Sequence, residues 1–193
     1  SKLIFFTENP NPFVSKYSFI KGFDGNFLEL NSSNTNNKSK SKLVINDFKL
    51  KETPALTKIL SLASLQGIAD LLTGEGIRFN EFDMTYTSEN GLITIDEMYA
   101  IGPAISILMS GYIDGDKLVS LRGTLVPATT INKAIGSIPL LGNILIGKKT
   151  GEGVFGVSFK LKGPPNDIKT TVNPIKTLTP RFITRTLEKI KKN

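Results

Sequence analysis

Two spacings of apolar residues follow one another along this chain and predict two kinds of element. Between residues 54 and 73, Leu and Ile recur every three or four positions, which is the spacing of a helix that buries one side. Thr53 and Pro54 suit the start of such a helix, and Gly74 suits its end. The pattern therefore predicts a helix near 54–73, and a similar segment predicts a second helix near 130–146.

From Ile77 onward the spacing changes to every second residue, which is typical of strands. The segments FDMTY, LITID, AISILMSGYI, LVSLRGTL and VFGVSFKLKG alternate apolar and polar side chains, and SENG and DGDK are turn sequences between them. Such strands form antiparallel sheets with one apolar and one solvated face. The predicted fold class is therefore α+β, mainly β. The residues predicted for the apolar face are Phe82, Met84, Tyr86, Ile93, Ile95, Ile105, Ile107, Met109, Val119, Leu121, Phe155, Val157, Phe159 and Leu161.

The first 50 residues are less regular. Residues 1–30 are extended in character, and FVSKYSFI and FDGNFLEL are predicted to be short strands. NSSNTNNKSKSK, residues 31–42, is a polar low-complexity run and is predicted to be a solvated loop. The next segment, KLVINDFKL, is predicted to be a strand.

One face of the predicted sheet is apolar and must be covered. The two predicted helices could cover it completely, as in an ordinary α+β core. Part of the face could instead line a groove for an apolar ligand. The pattern leaves both possibilities open.

Composition argues against catalysis. The chain contains no Cys, so it has no thiolate nucleophile and no zinc–sulfur site. It also contains no His, which is the commonest general base in enzymes. GNILIGKKT, residues 142–150, approaches the phosphate-binding loop pattern, but Lys149 stands where that pattern requires Ser or Thr to hold Mg²⁺. We interpret this segment as a buried helix end. The chain is predicted to be no enzyme and to need no metal or cofactor.

The net charge of +7 is concentrated at one end of the chain. Residues 158–193 carry nine basic and two acidic residues, which accounts for the whole excess. The last segment, TPRFITRTLEKIKKN (179–193), is predicted to be a basic amphipathic helix. It could lie on an anionic membrane surface, or pack on the core with its charges in water. Nucleic acid is not expected as a partner, because stacking aromatics do not alternate with the basic residues. The basic face of this helix would consist of Arg181, Arg185, Lys189 and Lys192.

Several blocks carry a resemblance to a known family. TPALTKILSLASLQGIADLLTGEGIRF, GPAISILMSGYID, GTLVPATTIN, IPLLGNILIG, EGVFGVSFKLKG and VNPIKTLTPRF resemble, in this order, the C-terminal region of AsmA-like envelope proteins of the YhdP type. The resemblance covers about residues 42–187. It departs from the family where Pro180 runs directly into Arg181, since the family usually has Gly there.

The resemblance implies a function without chemistry. Such proteins are similar to bridge-like lipid transfer proteins, in which a long, strongly curved β-sheet forms an apolar trough across the periplasm of a bacterial cell envelope. An N-terminal helix, absent from this chain, would anchor the full-length protein in the inner membrane, and phospholipids would move along the trough toward the outer membrane. This chain, which begins with Ser1, would be a piece of the longer protein and would form the distal end of the trough.

Three regions follow from this interpretation. Residues 1–41 would continue the sheet of the longer protein, residues 42–178 would form the AsmA-like groove domain, and residues 179–193 the terminal helix. The expected partners are phospholipid acyl chains, an anionic membrane surface and other envelope proteins. The alternative is a structural or docking module that transports nothing and binds the membrane surface or envelope partners.

Overall fold

The structure, a computed structural model, describes residues 1–15, 21–127 and 156–175. These residues form nine strands and three short helices. The strands are β1 (Lys2–Thr7), β2 (Lys21–Thr35), β3 (Lys38–Lys51), β4 (Ile77–Glu89), β5 (Leu92–Ile101), β6 (Ile105–Asp114), β7 (Leu118–Pro127), β8 (Gly156–Gly163) and β9 (Lys169–Ile175). The helices are α1 (Asn11–Val14), α2 (Pro54–Leu62) and α3 (Gln66–Thr73).

All nine strands belong to one antiparallel sheet. Each strand pairs with the one before it, so the spatial order is β1 to β9 and the two edges are β1 and β9. The prediction of a mainly β, antiparallel fold with short helices is confirmed. The helices predicted near 130–146 and over 179–193 lie outside the described residues.

The three helices all come from the same end of the sheet. In an antiparallel meander, successive connections alternate between the two ends. The connections from β1 to β2 and from β3 to β4 are at one end and contain α1, α2 and α3. The connections from β2 to β3, from β4 to β5, from β6 to β7 and from β8 to β9 are short turns at the opposite end. The structure therefore has a helix-bearing end and a turn end.

The sheet is strongly curved, and the helices show in which direction. Helix α2 follows β3 directly, yet it also contacts β9. Six strand spacings separate β3 from β9, which amounts to ~29 Å in a flat sheet at ~4.8 Å per strand. The nine residues of α2 span only ~13 Å at 1.5 Å per residue. The sheet must therefore curl around α2, which lies on its concave side.

The prediction of a solvated loop at residues 31–42 is wrong. This segment forms the end of β2, a tight turn and the beginning of β3. Asn36 and Asn37 occupy the turn with φ of 50° and 63°, a left-handed conformation that Asn tolerates and that hairpin turns favour. The hydroxyl of Ser41 donates to that of Ser32 at 2.8 Å across the strand pair. Because residues 31–42 are polar, composition does not indicate these two strand ends, whose Ser32 and Ser41 hydroxyl groups bond to one another.

One helix prediction and one strand prediction also need correction. The single helix expected near 54–73 is interrupted between α2 and α3, where Ser64 has φ of 59° and ends the first helix. The strand expected from Phe13 is wrong at its start, since Phe13 and Val14 belong to α1, which has Pro12 in its first turn. The rest of that segment, residues 16–20, lies outside the described residues.

Two local features help the sheet to bend. Between Ile95 and Met98, two residues of β5 face the single Ser110 of β6, which makes a β-bulge. On β7, Gly123 lies beneath the ring of Phe159 on β8, and a Cβ at this position would be 2.5 Å from both the ring and the carbonyl oxygen of Leu108. A glycine at this point allows close packing of neighbouring strands.

The close approach at Gly123 yields a stability prediction. We expect Gly123→Ala to lower the free energy of unfolding by about 1–3 kcal/mol, because the added methyl group overpacks the β7–β8 contact. Gly67→Ala in α3 is the control, since nothing lies within 4 Å of the added carbon, and we expect it to stabilise by about 0.4–1 kcal/mol. Urea denaturation of both variants measures the difference. Equal effects of the two substitutions would contradict the packing at Gly123.

Candidate functional site

Strand register assigns most side chains to one of two faces. We call the side that packs against α2 and α3 the concave face and the opposite side the outer face. Residues directly paired across antiparallel strands share a face. Thirteen of the residues predicted for the apolar face are described by the structure, and all of them lie on the concave face. They are Phe82, Met84, Tyr86, Ile93, Ile95, Ile105, Ile107, Met109, Val119, Leu121, Val157, Phe159 and Leu161. Phe155 and the basic residues of 179–193 lie outside the described residues.

Charge is segregated between the two faces. In β1, in β2 from Gly22 onward and in β3 to β9, every Asp, Glu, Lys and Arg that has a register partner lies on the outer face. The concave face carries apolar side chains, with Ser, Thr and Gly toward the turn end. Because an unpaired charge in an apolar environment is very unfavourable, this segregation gives one side of the sheet a surface suited to hydrocarbon.

At the helix-bearing end, the concave face is filled. Leu60 of α2 and Leu72 of α3 are completely buried in one cluster with the concave residues Phe79, Ile105 and Leu125. The ring of Phe48 contacts those of Phe23, Phe79 and Phe82 at this end, with centroids 5.2–6.4 Å apart. This part of the face is a protein core, and some of the predicted residues serve it.

Toward the turn end, the concave face is only partly covered. Met84, Tyr86, Ile93, Met109 and Leu121 are all half-buried. They alternate with more deeply buried neighbours on the same face, namely Ile95, Val119 and Leu161. None of the three described helices comes from a connection at this end. The half-buried apolar residues form a candidate binding surface, which we call the open end of the concave face.

The alternating pattern does not identify every residue of this surface. Leu30 and Leu43 pair on the concave face but flank the segment whose composition predicts a loop. Met98 pairs with Met84 and Met109 on the same face. The bulge shifts its parity relative to Ile95, so a strict two-residue alternation misses it.

The outer face contains a charged cluster that joins three strands. Lys42 Nζ lies 3.0 Å from Asp83 Oδ2, and the hydroxyl of Tyr99 donates to the same oxygen at 3.1 Å. The Asp83 side chain is only 9% exposed, whereas that of Lys42 is 53% exposed. The cluster ties β3, β4 and β5 together, and its geometry is that of a structural ion pair.

Removing the central carboxylate tests that structural role. We expect Asp83→Ala to lower the free energy of unfolding by about 1–3 kcal/mol, because it leaves the buried Tyr99 hydroxyl without this acceptor. Glu89→Ala is the matched control, since the pair of Glu89 with Lys38, at 3.3 Å, is exposed and such pairs contribute about 0–1 kcal/mol. Thermal and urea unfolding of both variants would show the difference, and equal losses would contradict it.

The outer face also has a cavity of about 330 Å³. Arg122 and Lys160 pair directly across β7 and β8 at this cavity, and Asp96 and Glu97 of the bulge lie on its other side. Hydroxyl groups of Ser110, Thr124 and Ser158 complete the polar part of its lining. This mixed-charge surface differs in character from the concave face and does not suit hydrocarbon.

Two further observations concern the described ranges. Within them, no group of three or more His, Cys, Asp or Glu side chains is placed to hold a metal ion. In the same ranges, no helix combines the length and apolar character needed to cross a membrane.

Comparison of the whole chain with protein-family models, with curated proteins and with solved structures finds no match. The class of this protein is therefore defined by the architecture of its fold and site. It is an open, curved antiparallel sheet with an apolar concave face, a charged outer face and helices that cover one end.

Proposed function

We propose that the open end of the concave face binds lipid acyl chains, and that the protein acts by binding rather than by catalysis. The observation that carries this proposal is the segregation of charge, since every register-paired charged residue from β3 to β8 lies on the outer face. The uncharged face continues past the part that α2 and α3 fill, to half-buried residues such as Met84 and Tyr86.

Binding of an acyl chain would depend on the apolar area that is buried and not on hydrogen bonds. Each methylene group of an acyl chain that leaves water contributes about 0.8 kcal/mol, wherever along the face it lies. The hydroxyl groups near the turns, such as the pair Ser32 and Ser41, already bond to one another and need no polar ligand. The headgroup would remain in water beyond the edge of the groove, so the face would accept several phospholipids.

In the cell, the chain would form the distal, outer-membrane-proximal part of a phospholipid transfer protein that spans the bacterial periplasm. This context rests on the sequence resemblance to AsmA-like envelope proteins. The curved sheet and its apolar concave face are what such a conduit requires. Contact of residues 179–193 with an anionic membrane surface belongs to the same proposal.

A structural or docking module is the second candidate, and one observation favours it. Helices α2 and α3 already fill the helix-bearing end with completely buried side chains such as Leu60 and Leu72. A face sealed along its whole length would bind envelope partners through its surface and would carry no lipid.

Native mass spectrometry of the purified protein, with lipid extraction from the same sample, separates the two candidates. If the open end binds acyl chains, we expect adducts with the masses of phospholipids, which the extract then identifies. Lipid-free protein after expression in bacteria, and again after incubation with phospholipid vesicles, would overturn the lipid-binding proposal and favour the docking module.

A further inference from the structure

The edge strand β1 exposes large apolar side chains on both of its faces. Leu3, on the concave face, is 55% exposed. Ile4 and Phe6, on the outer face, are 58% and 69% exposed. Edge strands of monomeric proteins are usually protected by charges, prolines or bulges, because their free backbone groups are a template for pairing. Lys2 is the only charged residue within β1.

The hydrogen bonds of Ser1 show which backbone groups of this edge are free for pairing. The Asn34 amide donates to the carbonyl oxygen of Ser1 at 2.8 Å, and the Ser1 nitrogen donates to the Asn34 carbonyl oxygen at 2.9 Å. In an antiparallel ladder, such bonded pairs recur at every second residue. The odd-numbered residues of β1 therefore bond to β2, and the N–H and C=O groups of Lys2, Ile4 and Phe6 point away from the sheet.

The edge is complementary to itself. If two copies of β1 pair antiparallel around a two-fold axis at Phe5, each Ile4 lies opposite Phe6 of the second copy. The same register places Lys2 opposite Glu8 of the second copy, an exposed residue of opposite charge that directly follows the strand. Paired residues in this register have the same parity, so apolar side chains meet apolar side chains on the outer face.

We propose that the chain of residues 1–193 forms a two-fold symmetric dimer through β1. The outward backbone groups of Ile4 and Phe6 would exchange hydrogen bonds across the axis, and the two sheets would join into one sheet of twice nine strands. Because the axis is perpendicular to the sheet, both concave faces lie on the same side and become continuous. Such an interface uses the same surface of both copies, which is the usual form of a homodimer.

Single-cysteine variants test this register, since residues 1–193 contain no Cys. In the proposed dimer, Phe5 faces its own copy as a non-hydrogen-bonded pair with a Cα separation of ~4.5 Å, which is within disulfide range. We expect Phe5→Cys to form disulfide-linked dimers on mild oxidation. We expect Ile4→Cys alone and Phe6→Cys alone to form few disulfide-linked dimers. In the proposed register, each of these positions lies opposite the other position of the second copy and two residues away from its own counterpart. An equimolar mixture of these last two variants should cross-link efficiently.

A charge exchange provides an independent measurement on the same interface. Lys2→Glu alone and Glu8→Lys alone each place like charges opposite one another, so we expect each to weaken the dimer in sedimentation velocity experiments. The double variant should restore dimerisation at low salt. These substitutions alter exposed side chains only, so the fold should remain intact.

The outcomes decide the proposal. A Phe5→Cys dimer, with cross-linking of the mixed but not the separate Ile4→Cys and Phe6→Cys variants, would support it. Equal cross-linking of all three single variants would indicate random collision and would overturn it. If the unsubstituted chain is monomeric at every concentration tested, the proposal is overturned and the lipid-binding proposal is unaffected. That result is the one expected if the edge of β1 instead continues the sheet of a longer protein.

Discussion

Replacing Leu121 with aspartate is expected to remove nearly all bound phospholipid from the purified protein. Leu121 is half-buried on the concave face, where it pairs with Gly111 and Leu161. Placing Asp among hydrocarbon costs about 2.5–3.5 kcal/mol, so we expect roughly a hundredfold weaker binding of acyl chains. Native mass spectrometry and phosphate analysis of lipid extracts would measure the loss.

The neighbouring residue provides a matched control. Ser120→Asp introduces the same carboxylate one position earlier on β7, but on the outer face, where Ser120 pairs with Tyr112 and Lys162. We expect this variant to retain its lipid. Both variants must show cooperative thermal unfolding for the comparison to hold. A folded Leu121→Asp protein that carries as much phospholipid as Ser120→Asp would refute binding on the concave face.

The largest loss of stability is expected from Phe79→Ala. Phe79 is 2% exposed and stacks on Phe48 with ring centroids 5.2 Å apart. Truncating a core phenylalanine leaves a cavity as well as removing buried apolar area, so we expect the free energy of unfolding to fall by about 3–5 kcal/mol. Guanidinium denaturation would measure the change.

Phe13→Ala is the control for this prediction. Phe13 is 43% exposed and makes an edge-on contact with Phe5 at 5.0 Å, so we expect a loss of no more than about 1.5 kcal/mol. If both variants lost the same small amount, the helix-bearing end would not be the densely packed core that its burial indicates, and the division of the concave face into two parts would fail.

Where strands alternate regularly, the sequence was sufficient to assign side chains to faces. In β6, Ile105, Ile107 and Met109 occupy every second position, and the pleat alone places them on one side. The assignment fails at the bulge of β5, because one inserted residue reverses the parity that Met98 would otherwise have. Local periodicity cannot reveal an insertion that depends on how neighbouring strands pair.

Composition predicts the wrong element where polar residues form strands. The segment 31–42 contains no apolar side chain, yet its serines and lysines alternate between the faces of a hairpin. The strand β1 was not recognised because its apolar residues do not alternate with polar ones. In both cases the pairing partner, rather than the segment's own pattern, determines the structure.

Alternation along each strand separates apolar from charged side chains, so the local pattern already requires one face of the sheet to be free of charge. Which part of that face is core and which part is open follows only from how the elements pack together. That division depends on curvature, which brings β9 to α2, and on the placement of α2 and α3 at one end. Both arise from contacts between residues far apart in the chain, and a repeating local pattern carries no information about such contacts.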